Sequence, residues 1–233
     1  MNPNQFPFDV KSNRKSVVGF GLLGIIWVLV CSGVPFFWDA ITLGSQTAAH
    51  FTESGLGALI LPVNLDAGHP PLFGWYLAAV SGNNLFFNHL AMWPFLLLIW
   101  TQYYQYCNRF LKGSPLMIAM LLLFIEPTLL AQSIHVAPDL MLLAFFLLAL
   151  NAILDRKTSL LVLALCLLCL SGLRGCIGSA ALWFLALYLN KLEDKWLFSR
   201  FTLLPWVIST LLVISWFAYH YSQTGWLLAN PDS

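Results

Sequence analysis

Long apolar runs constrain this chain more than any other feature. Runs of about 17–22 apolar residues recur along it, and about 20 helical residues cross a hydrocarbon core of roughly 30 Å. Of the 233 residues, 59% are hydrophobic and 9% are charged, whereas a soluble domain carries about 25% charged residues. Inside a bilayer every backbone N–H and C=O must find a partner without water, which leaves helices and closed barrels. The runs have helical length. The expected fold class is therefore all-α, a polytopic membrane bundle of about seven transmembrane helices. The expected spans are 16–37, 85–107, 115–133, 137–154, 158–173, 175–190 and 201–221, the fifth and sixth being short.

The basic residues orient this bundle. Lys11, Arg14 and Lys15 precede the first span, and Arg109 and Lys112 follow the second. Arg156 and Lys157 follow the fourth, and Lys191, Lys195 and Arg200 the sixth. Cytoplasmic loops carry the excess of Lys and Arg, so an inside N-terminus places all of these on the cytoplasmic side. Arg174 is left outside. Residues 1–15 then form a cytoplasmic tail, 16–221 the membrane module and 222–233 an outer tail. The first span has a basic leader like a secretory signal, but its apolar run is too long, which favours an uncleaved signal-anchor. Cys166 and Cys169 form a C-x-x-C within an apolar helix and read as small packing residues rather than a metal or redox pair. A net charge of +1 offers no electrostatic footprint for nucleic acid, and no nucleic-acid partner is expected.

The remaining ionisable groups sort by side. All five histidines, His50, His69, His89, His135 and His220, fall at the outer side or at outer helix ends. Asp39, Glu53, Asp66, Asp139 and Asp232 fall there too, and Glu126 lies in the outer half of the third span. The first outer segment, 38–84, runs to roughly 47 residues, and loops of that length are usually functional or disordered. This one is too apolar and aromatic for disorder. It contains an amphipathic stretch from Ala40 to Glu53, and Pro70-Pro71 can open a short helix through Ala79. Interfacial helices across the mouth of the bundle are expected.

Several of these residues have two readings. Asp39 follows the aromatic belt Phe36-Phe37-Trp38 and is either a solvated helix end or a functional acid. Asp139, in Pro138-Asp139, suits the first turn of a helix through the dipole and would equally suit a site. Glu126 sits in a span, where an ionisable group costs roughly 2.5–3.5 kcal/mol and usually faces a partner or cavity; it is either functional or simply hydrogen-bonded. Arg174, in Ser171-Gly-Leu-Arg-Gly175, opposes the positive-inside bias. It calls for a bound anion, for which its geometry suits phosphate oxygens, or for a structural pair with Glu126 or Asp139. Acids, histidines and one arginine at the rim of an apolar bundle match a substrate with an anionic head and a lipid tail. A carboxylate beside that head could act as general base.

Four motifs give the chain a family resemblance. Trp38-Asp39 ends the first span, and Gly68-His69-Pro70-Pro71-Leu72-Phe73 lies in the long outer segment. Pro138-Asp139-Leu140 heads the fourth span, and Leu173-Arg174-Gly175 joins the fifth to the sixth. In order and on one side, they resemble the integral-membrane glycosyltransferases of C-type fold, closest to the protein O-mannosyltransferases and the bacterial aminoarabinose transferases of lipid A. The resemblance covers about residues 16–221. It implies transfer of a sugar from a polyprenyl-phosphate donor to an extracytoplasmic acceptor, whether lipid, glycan or protein. Asp39 would be the general base, with Asp139 organising the same site. His69 and Arg174 would bind the donor phosphate, with Asp66, Glu126 and His135 in support. The cofactor is unspecified; a divalent metal is compatible, although Ala40 follows Asp39 where many relatives place a second acid. Gly68 stands where the aminoarabinose branch has glutamate, for which Asp66 could substitute.

The chain resembles the family's N-terminal module, which implies that the family's variable remainder is missing. A truncated product, a minimal form and half of a split enzyme, partnered by a second subunit, all fit this. The alternative function is a non-catalytic membrane subunit that binds a lipid phosphate. Membrane lipids are partners on either reading. A transporter is disfavoured by the absence of internal repeats, and no Gly-x-Ser-x-Gly pattern suggests a serine protease. Short loops and the lack of any Asn-x-Ser/Thr acceptor are compatible with a bacterial inner membrane and a role in the cell envelope.

Overall fold

The structure, a computed structural model, describes residues 10–35, 40–55, 59–66, 68, 70–81, 84–193, 196–197, 199 and 200–228. Helix is the only regular structure among the described residues. A long helix α1 (Val10–Cys31) comes first. A π-helical stretch Ala40–Gln46 then runs into α2 (Thr47–Ser54), followed by α3 (Leu72–Val80) and α4 (Leu85–Leu90). The bundle continues with α5 (Trp93–Asn108), α6 (Ser114–Phe124), α7 (Pro127–Ile134) and α8 (Pro138–Leu154). It closes with α9 (Thr158–Leu170), α10 (Leu173–Leu192) and α11 (Arg200–Thr224).

Two of these helices, α10 and α11, are each long and apolar enough to cross a membrane. A third crossing results if α6 and α7, bent by 47° at their junction, act as one broken span. The bend has a local cause. Pro127 cannot donate a helical hydrogen bond, so the helix stops at Ile125 and restarts with Glu126 as its cap, its carboxylate accepting the Leu129 N–H. The expected span 85–107 is likewise interrupted, at Ala91–Met92 between α4 and α5. With 13 residues, α9 rises only about 20 Å at 1.5 Å per residue.

The core is built around α8, which packs against α5 on one side and α9 on another. Ala144, Ala149 and Ala152 are fully buried along it, and such small residues let helix backbones approach closely in a membrane bundle. Ile99, Leu96, Leu161, Leu165 and Leu168 fill the space that remains. α11 packs along α9, and α1 packs along α5.

The polar groups gather at the two ends of this core. At one end Arg109 pairs with Asp155 at 2.7 Å and donates to Asn151 Oδ1 at 3.1 Å. The Asn151 amide in turn donates to the Gln102 carbonyl at 2.8 Å. Lys157 reaches the same Asp155 at 3.1 Å. Arg156 pairs with Glu193 at 2.8 Å and lies over the Phe201 ring. Arg109, Arg156 and Lys157 are thus paired with acids that cap the C-terminal ends of α8 and α10. Asn151 is 2% exposed, and its removal takes a partner from Arg109 and from the buried Gln102 side-chain oxygen. Asn151→Ala is expected to lower unfolding stability by about 1–3 kcal/mol, read as a drop in melting temperature in detergent; an unchanged midpoint would show that this network is dispensable.

Candidate functional site

At the opposite end, helices α8 and α10 begin side by side. Pro138 suits the first turn of α8, since its missing N–H would be unpaired there anyway. Asp139 follows in that first turn, where the exposed N–H groups favour an anion. α10 begins after Gly172, whose φ of +130° falls in the region that favours glycine. The turn is tight: a Cβ on Gly175 would lie 1.8 Å from the Leu168 carbonyl oxygen. This close approach brings Arg174 to Asp139, with Nη1 donating to Oδ1 at 2.9 Å. The Arg174 side chain is 78% exposed and that of Asp139 36%. An ion pair so exposed contributes about 0–1 kcal/mol to stability. Among the described residues Asp139 is the one side chain that meets this guanidinium.

The first outer segment lies over the same end. A Cβ on Gly44, in the π-helical stretch, would meet the Val136 carbonyl oxygen at 2.9 Å, three residues before Asp139. α3 packs on this stretch through Phe73 and Leu77, and on α2 where Gly74 meets Thr47 and Phe51. The Tyr76 hydroxyl in α3 donates to the Ala91 carbonyl at 2.6 Å. Burial pushes its phenol up to about 12, so it remains a donor at neutral pH. His89 Nε2 donates to the Val34 carbonyl at 3.0 Å and so ties α4 to the chain just before Phe36. The segment is tied down by contacts at several points along its length.

The expected site residues divide into three groups. Asp139 and Arg174 are brought together, which answers one of the two readings of Arg174 in favour of a pair with Asp139. Glu126 caps α7, and His135 ends it with its N–H on the Ala131 carbonyl. Asp66 is directed elsewhere: its carboxylate meets His220 at 2.7 Å, with side chains 3% and 0% exposed. Asp39 and His69 lie outside the described residues. No group of three His, Cys, Asp or Glu side chains able to hold a metal occurs among the described residues, and Arg174 beside Asp139 would repel a cation. In the sequence His220 reads only as an outer histidine. Its partner is 154 residues away, so no local pattern signals the pair.

No family model, curated protein or solved structure matches this chain.

The α9–α10 turn is the most sensitive part of the site. Gly175→Ala is expected to cost about 1–3 kcal/mol through overpacking against backbone, or to abolish folded yield in size-exclusion chromatography. A variant with unchanged melting temperature would contradict the packing described.

Proposed function

We propose that this chain crosses a membrane about seven times and transfers a sugar from a polyprenyl-phosphate donor to an extracytoplasmic acceptor. On this reading α1, α4–α5, α6–α7, α8, α9, α10 and α11 are the spans. The basic end is cytoplasmic, by the positive-inside bias, in what we take to be a bacterial inner membrane. The fold belongs, in the proposal, with the C-type membrane glycosyltransferases that the four sequence motifs resemble. The observation that carries the proposal is the exposed Arg174 held by Asp139 at the mouth of an apolar bundle.

The chemistry follows from what such a donor requires. Its sugar is joined to the lipid through a phosphodiester. The acceptor hydroxyl attacks the anomeric carbon, and the bond from that carbon to the phosphate oxygen breaks. The leaving polyprenyl phosphate gains one negative charge. A guanidinium presents several donors in a planar fork that matches phosphate oxygens, so Arg174 stabilises this charge as it develops. Asp139 leaves the outward face of Arg174 open while fixing its orientation. Asp39 takes the hydroxyl proton, and His69 contacts the donor head. The apolar helix faces below hold the prenyl tail.

A second reading draws on the same pair. Asp139 already offsets part of the Arg174 charge, as suits a subunit that binds a lipid phosphate without turning it over. Polyprenyl phosphate binding, measured by native mass spectrometry on the purified chain, separates binding from transfer. Arg174→Gln is expected to weaken binding about 10- to 100-fold, the loss of charge-assisted hydrogen bonds worth about 1.5–3 kcal/mol. Asp39→Asn should leave binding intact and abolish transfer from a synthetic polyprenyl-phosphate sugar. Binding unchanged in Arg174→Gln would overturn the phosphate site; undiminished transfer by Asp39→Asn would remove the assigned base.

A further inference from the structure

Asp66 and His220 form a second polar centre, separate from the Asp139–Arg174 pair. Asp66 lies in the irregular chain before α3, and His220 lies in the last turns of α11. Asp66 Oδ2 is 2.7 Å from His220 Nε2, and Asp66 Oδ1 accepts the Gly68 N–H at 2.9 Å. Gly68 has φ +67°, and a Cβ there would meet the Leu228 carbonyl oxygen at 2.7 Å. The loop is therefore pressed against the chain that follows α11.

The hydrogen inventory of the pair is constrained by its acceptors. His220 Nδ1 lies 3.0 Å from the Trp226 carbonyl oxygen, which can only accept, so Nδ1 must carry a hydrogen. Thr224 Oγ1 is 3.4 Å from Nδ1. Its hydrogen is already directed at the carbonyls of His220 or Trp226, at 2.9 and 3.1 Å. On the other side, Nε2 faces a carboxylate oxygen. Two bare acceptors do not sit 2.7 Å apart, so one proton lies between them. The ring is stacked on Trp216 at 4.9 Å and 27°, and meets Trp226 edge-on at 4.7 Å and 84°. Such an enclosure excludes water, and an isolated charge within it would be costly.

We infer that Asp66 and His220 hold one shared proton in a buried, net-neutral latch, and that this latch docks the first outer segment onto the end of α11. The proton lies on Nε2, giving an ion pair, or on Asp66, giving a neutral acid and imidazole. Overall charge is zero in both. Apolar contact alone would let the loop slide; the latch fixes its register at Asp66. Both residues are positioning residues, since their side chains are too buried to meet a ligand. Any consequence for His69 and the donor head rests on the function proposed above.

A mutant cycle and a spectrum test the latch without using donor or transfer, so failure of the glycosyltransferase reading would leave both readouts unaffected. In Asp66→Asn the amide can still accept the Gly68 N–H and can donate to Nε2 of a neutral ring. It is expected to fold with a small decrease in melting temperature. His220→Leu strands a buried carboxylate and should show a much larger drop, and adding Asp66→Asn to it should restore part of the loss. A His220→Leu chain as stable as the wild type, or a drop that Asp66→Asn does not relieve, would overturn the inference. Should His220→Leu fail to fold, the ¹⁵N-histidine spectrum of the intact chain decides. The histidine signal that responds to Asp66→Asn is expected to have a protonated Nδ1. No responding histidine, or one with a bare Nδ1, refutes the shared proton.

Discussion

The pairing of charge at the ends of long apolar helices organises this molecule. Ionisable groups within a span are expensive unless paired or facing a polar cavity, and here the described pairs lie near helix ends. The Arg109–Asp155–Lys157 and Arg156–Glu193 contacts occupy one end of the bundle, and Asp139–Arg174 the other. Between them, the core of α5, α8 and α9 holds alanine, leucine and isoleucine. Helices α8 and α9 are thus apolar rods with marked termini. Those termini, more than any feature of the core, decide what the molecule can bind.

The first outer segment converts one of those ends into a structured surface. Its helices pack over the junction of α7 and α8 through Gly44 and Val136. Its loop is held at the end of α11 through Asp66 and His220. His89 secures the region next to α1. Contacts with Val136 before α8 and with the end of α11 hold the segment over the end of the bundle at which Arg174 is exposed. A polar head could meet Arg174 while an apolar tail follows the helix faces outward, which is the arrangement on which the functional proposal relies.

Much of this was legible in local sequence. The apolar runs locate the helices, and Pro70-Pro71 announces α3, expected through Ala79 and found at Leu72–Val80. The Pro138-Asp139 start of α8 follows from proline's fixed φ and the helix dipole. Helix continuity was less legible. Glu126-Pro127 interrupts an apolar run without changing its composition, so one span was expected where α6 and α7 meet at 47°. Long-range pairing was the least legible. Arg174 could have met Glu126 or Asp139, and only the tight Gly172–Gly175 turn selects the latter. The Asp66–His220 contact joins residues 154 positions apart and leaves no periodic trace. Two expected site residues, Asp39 and His69, lie outside the described residues, so their role rests on motif order alone.

The account depends most on the two polar ends facing opposite sides of one membrane. Single cysteines at Leu173 and Lys112, in a background with Cys31, Cys107, Cys166, Cys169 and Cys176 replaced, probe this directly with a membrane-impermeant maleimide on intact cells. The account predicts that position 173 labels from outside and that position 112 labels only after permeabilisation. Labelling of both positions from the same side would contradict it.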